Sequence, residues 1–391
     1  MFAFAQGAGF AAGNTYTVAT FASTTFSAGD FTATGLPAGY VALFSLNGTS
    51  LQVTIKILAP VTLTDLSQAY DGTPKSPTVT TDPAGLNVVL TYNGDLAAPT
   101  LPGSYAVVAT VVDPDYTGST SGTFVIAITS LTRHAPVLNG DIDGSAQVLL
   151  PENTTLNGSM ISGDLLVPGT PTVRLNGHPT YGGTVDGSGN AAPSNFTVTL
   201  NGGSTLRHVI RRIDPIALPA VDAPPAPAGT RDVALNNSSQ SAGDFTTLRN
   251  LTLNSHAGQV AVPPGTYGTF IANGGSGFVF GVANATEPAV YNLQGLTLNS
   301  GSSVQLAGPV ILTLANGVIV NSAAIGTTAH LDWLTLQIAG GGLTLNSGAT
   351  LCGAVAAPAG TVIINSGSLY GRVSASGLTL NGSGLLSEVF P

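Results

Sequence analysis

Ionisable side chains are few in this sequence, and their positions decide how much chemistry it can run. A polysaccharide lyase needs clustered carboxylates for Ca2+ and an Arg or Lys base, and a glycoside hydrolase needs two carboxylates about 5–9 Å apart. After Asn250 the only acids are Glu287, Asp332 and Glu388, Arg372 is the only strong base, and no Lys follows Lys75. Two earlier clusters hold more. Asp141-Ile142-Asp143-Gly144 places two carboxylates on one face of a strand, but it has fewer acids than a full Ca2+ loop, so a turn with solvated acids is expected. Arg207, His208, Arg211, Arg212 and Asp214 have the composition of an anionic-sugar site, although a solvated edge or an interface to another chain is the commoner use of such a group. His134, His178, His208, His256 and His330 fall in different repeats, with no pair at metal-ligand spacing. Cys352 is alone and reads as a small buried apolar residue. Lys56 and Lys75 are the lysines an isopeptide bond to Asn would need, and neither has an evident acid partner. With no P-loop, no GxGxxG and no nucleophile elbow, no catalytic residue, metal site or cofactor is expected.

The elements that would have to position such groups are strands. Of the 391 residues 43% are apolar, enough for real cores, while 7% are charged and Gly reaches 50, against about 25% charged in ordinary domains. A net charge of −9 with two Lys leaves no electrostatic footprint for nucleic acid or an anionic membrane. The apolar run 309–326 is interrupted by Thr313, Asn316, Asn321 and Ser322, so no membrane span is expected. Ala3-Phe4-Ala5 before Gln6 reads like the tail of a secretory cleavage site and points to an extracellular or cell-surface protein. No window keeps helical apolar spacing for three turns, whereas period-two patterns recur throughout. The predicted class is all-β: an N-terminal β-strand segment (1–58), a small immunoglobulin-like β-sandwich (59–129) and a C-terminal right-handed parallel β-solenoid (130–391).

Segment 1–58 carries a hairpin signal at Asn47-Gly48, a pair that accepts the positive φ of a tight turn. It is too short for a comfortable core. Its run 15–55, with Phe44-Ser45-Leu46-Asn47-Gly48-Thr49-Ser50-Leu51-Gln52 at its centre, resembles the closing turn of the strand repeats of autotransporter-like surface proteins. Phe21, Phe31, Tyr40 and Phe44 are its candidate assembly residues. With the sandwich expected to have a closed core, the candidates are this chain's own solenoid and the solenoid end of another copy, and the other copy is the expected partner, which predicts a head-to-tail homo-polymer.

Between 60 and 128, strand patterns at 61–63, 78–80, 88–92, 104–111 and 123–128 alternate with turn signals, the spacing of a small sandwich. Tyr70-Asp71-Gly72-Thr73-Pro74, Thr91-Tyr92-Asn93-Gly94, Gly103-Ser104-Tyr105-Ala106-Val107 and Asp115-Tyr116-Thr117-Gly118-Ser119 resemble the bacterial MBG (YDG-type) immunoglobulin-like repeats. The resemblance implies a spacer in a large secreted or cell-surface protein.

From about 137 a different repeat takes over, an aliphatic residue, Asn, then a small residue, at Asn139, Asn157, Asn176, Asn201, Asn236, Asn254, Asn299, Asn321, Asn346, Asn365 and Asn381. If the two long gaps, 201 to 236 and 254 to 299, hold two coils each, the period matches one coil of a parallel solenoid. Leu298 and its equivalents point inward, and Asn takes the bend, with left-handed φ and its amide stacked in an internal ladder. Outward Thr252, Thr297, Thr344 and Thr379 would line up in a column like an ice-binding face, though β-propensity alone explains them. Pro215, Pro219, Pro224, Pro225 and Pro227 mark a strap at about 213–229. The stretch from Val137, including 353–362 and Leu369-Tyr370-Gly371, resembles solenoid regions of verrucomicrobial-type surface proteins. The expected function is a non-enzymatic extracellular structural protein, a filament subunit or an adhesin stalk. A carbohydrate-binding or carbohydrate-cleaving β-helix is the alternative, with surface polysaccharide as its partner.

Overall fold

The computed structural model describes residues 1–4, 11–189, 194–214 and 216–388, so Ala5, Gln6 and Pro215 of the patterns above lie outside the described residues. The chain is all-β, 2% helical and 53% strand. It divides into two compact units, Met1–Ala127 and Ile128–Pro391.

In the first unit, alternation along strand Ser50–Leu58 buries Leu51, Val53 and Ile55. Tyr40–Asn47 returns antiparallel through Gly48, whose φ of +59° is the left-handed value that the Asn-Gly turn requires. Strand Thr15–Thr20 pairs on the other side. The sandwich that follows has the sheet order Ser67–Ala69, Ser119–Ala127, Gly103–Val111, Val88–Tyr92, with Val61–Thr64 and Thr78–Thr81 paired separately. Its core holds Tyr92, Val107, Ala109, Phe124 and Ile126.

The partner of segment 1–58 differs from the expectation, because the sandwich has an open edge. Strand Tyr116–Thr117 pairs in parallel with Ile57 and Leu58, and the Lys56 ammonium donates to the Asp113 carbonyl at 2.5 Å. The segment therefore packs on the sandwich within its own unit.

The second unit is a parallel β-solenoid, with 28 strands among the described residues in one continuous sheet. Period-two alternation sends Leu296 and Leu298 inward, Leu298 being wholly buried, while Thr297 stays half-buried. Near one end the core is aromatic, with Tyr267, Phe270, Phe278, Phe280 and Tyr291 packed ring to ring. The Tyr291 hydroxyl donates to the Val262 carbonyl and accepts from the Gly281 amide, both at 2.9 Å, so its polar end is satisfied inside the stack.

Coils do not stack in chain order. Strand register places the Asn-bearing strands in the sequence Asn176, Asn201, Asn157, Asn139, Asn381, Asn365, Asn346, Asn321, Asn299, Asn273, Asn254, Asn236. The chain enters mid-stack, runs outward to one end, crosses to the other end and climbs back. Its last strands, Ser368–Asn381 and Leu385–Ser387, then pair with its first, Val137–Leu138 and Asp141–Asp143. One coil is composite: Leu378 to Ser387 supplies two of its sides, and Ser130–Thr132 supplies the third.

The crossing explains the proline density. From the Asn201 coil to the Asn236 coil is ten steps in that order, about 48 Å at the spacing of neighbouring strands. Residues 214–230, extended as polyproline at about 3.1 Å each, reach about 53 Å. The strap is tied down on the way, where the Gln294 amide donates to the Pro225 carbonyl at 2.8 Å. The long gap from 201 to 236 is thus one coil plus the strap. The gap from 254 to 299 is two coils, with Asn273 in the middle.

Candidate functional site

Asn residues form the most regular polar array in the solenoid. Side-chain amides donate in one direction through nine steps: Asn176 to Asn201, Asn201 to Asn157, Asn139 to Asn381, Asn381 to Asn365, Asn365 to Asn346, Asn346 to Asn321, Asn299 to Asn273, Asn273 to Asn254 and Asn254 to Asn236, at 2.7–3.5 Å. All eleven Asn residues named from the sequence, and Asn273 besides, stand at this corner. Two details differ from expectation. The ladder lies at the surface, its members half-buried or exposed. The left-handed φ falls on the residue after Asn, at Ser322, Ser347, Ser366, Gly158, Gly177, Gly202 and Gly382, because Asn ends the strand and the next residue makes the bend. Asn273 was hidden by its local sequence, Phe270-Ile271-Ala272-Asn273, in place of Leu-Thr-Leu-Asn.

Outward from this strand the Thr column is interrupted at every second level. Register gives Thr252, Ile271, Thr297, Ile319, Thr344, Ile363, Thr379 in succession. The four Thr residues are therefore two strands apart, with aliphatic side chains between them.

The charged clusters join neighbouring coils. Asp164, almost fully buried, accepts two parallel bonds from the Arg207 guanidinium, each 2.7 Å, and lies 3.0 Å from His208 Nδ1. Arg211 and Arg212 both pair with Asp186, while Asp214 is exposed. Asp141 accepts from the Met160 amide, and Asp143 from the Ser162 and Ser387 hydroxyls in the coils on either side. Asp232 is held below the usual carboxylate range by Arg249 in the next coil. Glu388 pairs with Arg372. Glu152 is likewise held low, by the Ala135 amide and then by His134, whose Nδ1 lies 2.9 Å away. Sequence reasoning missed Asp164, Asp186 and Asp232 because their partners are 43, 25 and 17 residues away, and only the stacking order brings them together.

The remaining candidates are placed as follows. Lys75 pairs with Asp71 at 2.5 Å, an acid partner that the sequence reading did not identify. Cys352 is buried, and burial pushes its thiol up. His178 and His256 are exposed, and His330 stacks on Trp333 with ring centroids 3.7 Å apart. Phe31 and Phe44 pack with Phe2 at centroid distances of 5.5–6.1 Å, and Phe21 and Tyr40 are half-buried. Among the described residues no group of three His, Cys, Asp or Glu could hold a metal ion, and no helix is long and apolar enough to cross a membrane.

The two ends of the stack are unlike each other. At one, Leu175 is 52% and Val185 44% exposed, although their partners one coil inward, Leu200 and Ile210, are 0% and 6% exposed. At the other, Leu235 is already covered, while Asp232 and Ala234 are exposed.

Residues 59–130 match the family described as MBG domain, and the solenoid lies beyond the match. No curated protein and no solved structure matches the chain. MBG domains are found in surface proteins.

Proposed function

We propose that this chain is a non-enzymatic extracellular structural protein, displayed at a bacterial cell surface as a stalk or as a unit of a larger fibre. The observation that supports this reading most is the placement of the polar chemistry. The Asn amides and the carboxylates of Asp143, Asp164, Asp186, Asp232 and Glu388 connect one coil to the next. A carboxylate fixed in this way is lost to acid-base catalysis but resists separation of the coils along the stack. The MBG match at 59–130 supports a surface setting.

The test is to incubate the purified chain with a panel of polysaccharides, measuring new reducing ends and uronate unsaturation, and to fractionate cells expressing it with its native export signals. The reading expects no cleavage and recovery in the surface or extracellular fraction. Turnover of any polysaccharide would replace it with the carbohydrate-active alternative.

A further inference from the structure

We infer that solenoids of this chain stack end to end, the exposed strand Thr172–Gly177 of one copy pairing in parallel with strand Arg231–Leu235 of the next, Asn176 opposite Asn236. The inference deepens the structural reading above and rests on it. Its first support is the direction of the ladder. All nine amide bonds point from the Asn176 end toward the Asn236 end. The stack therefore ends with the Asn176 Oδ1 acceptor facing out at one end and the Asn236 Nδ2 donor at the other. Turning one amide around would bring oxygen against oxygen at the next bonded step, so each of the three bonded runs, Asn176 to Asn157, Asn139 to Asn321 and Asn299 to Asn236, holds its direction, and all three agree. A head-to-tail contact joins donor to acceptor. A two-fold contact between like ends joins acceptor to acceptor.

The second support is register. Val173-Arg174-Leu175-Asn176 and Val233-Ala234-Leu235-Asn236 carry the same inward and corner residues at the same spacing. Parallel pairing sets Leu175, the apolar side chain left most open in the terminal coil, against strand Arg231–Leu235, whose own Leu235 is already buried. Charge agrees as well. Arg174 is exposed and comes diagonally beside Asp232, which already takes Arg249 from its other side. Among the described residues each strand pairs with a single neighbour, Thr172–Gly177 with Thr197–Gly202 and Arg231–Leu235 with Leu248–Leu253, and an open strand edge is a template for another strand. The contact is heterologous, so its repetition gives a linear assembly.

Directly opposed residues across such a contact are close enough for a disulfide. The full-length variants Arg174→Cys and Ala234→Cys, both altered at exposed sites, are mixed and oxidised after circular dichroism confirms parental folding. A covalent dimer in the mixture, with none from either variant alone, is the expected result. No dimer in the mixture, or Arg174→Cys chains joining to one another, overturns the inference. Failure here with surface recovery intact leaves the structural reading standing, whereas polysaccharide turnover removes that reading whatever the cross-linking shows.

Discussion

Thr129 and Glu388 are 259 positions apart, yet the Thr129 hydroxyl donates to Glu388 Oε2 at 2.7 Å. The bond closes the composite coil where the first strand of the solenoid meets the last. The Glu388 amide adds a bond to the Asp143 carbonyl at 3.1 Å, and the Thr129 carbonyl accepts from Val373. A solenoid whose chain ends lie at its two tips can fray from either one. Here the chain enters and leaves mid-stack, and both tips are interior segments of the sequence.

Glu388→Ala should therefore destabilise the solenoid well beyond a surface substitution. Its side chain is 6% exposed, and its removal leaves Arg372 and Thr129 without that partner. A loss of about 3 kcal/mol is expected, the lower part of the range for breaking a buried pair, because Arg372 is partly solvated. Glu388→Gln keeps an acceptor and should recover about half. Urea unfolding followed by circular dichroism measures both, and equal midpoints for the parent and Glu388→Ala would dismiss the closure role.

Leu298→Asp should cost at least 4 kcal/mol, since it puts an unpaired carboxylate among wholly buried side chains. Thr297→Asp, one position along on the outward face, should change the melting temperature little. The contrast checks the register of the strand, and reversed effects would mean that the inward and outward faces are exchanged.

Position within the ladder should set the cost of losing an amide. Asn346 donates to Asn321 at 2.9 Å and accepts from Asn365 at 2.8 Å, whereas Asn176 makes its single ladder bond to Asn201. With about 1 kcal/mol net for each hydrogen bond, Asn346→Ala should lose about 2 kcal/mol and Asn176→Ala about 1 kcal/mol. Chemical denaturation of the two variants gives the comparison. Equal losses would show that the number of ladder bonds does not set the cost.

Stability of the first unit should fall at low pH through Asp71. Burial pushes this carboxyl up, but the hydrogen bonds from Lys75 and Thr73 outweigh it and hold it at about 2, against 3.8 ordinarily. The folded state thus favours the ionised form. Its contribution is complete above pH 3.8 and is lost as pH falls toward 2. Asp71→Asn should remove that part of the acid sensitivity while leaving the second unit unaffected. Hydrogen exchange at the 71–75 turn between pH 5 and pH 2 reads it directly, and identical profiles for parent and variant would contradict it.

Period-two alternation, the Asn spacing and the YDG-type turns made the strand-rich class, the coils and the MBG match legible, because each depends on residues close in sequence. Stacking order was not legible. Nothing around Asn139 indicates that its ladder partner is Asn381, since any aliphatic-Asn strand fits against any other. The same degeneracy hid the Asp164–Arg207 pair and the composite coil. Segment 1–58 was misplaced for a related reason. A two-residue strand, Tyr116–Thr117, is too short to announce an open edge, and the sandwich looked closed without it. Pro density identified the strap from composition alone, but its length acquires meaning only once the two coils that it joins are known to lie ten steps apart.

That length supplies the last prediction. The strap joins coils about 48 Å apart with residues 214–230. Deleting 217–222 leaves eleven of them, which reach at most about 40 Å when fully extended. The shortened chain cannot place the Asn201 coil and the Asn236 coil at their positions together, so one block of coils must detach. Two unfolding transitions or protease cleavage near residue 230 should follow. Replacing 217–222 by six Gly and Ser residues restores the reach and should restore a single transition. Changing Pro219, Pro225 and Pro227 to Ala keeps the length but loosens the unfolded chain, at about 0.4–1 kcal/mol for each. A deletion variant that unfolds in one step at the parental midpoint would show that the strap does not span the stack.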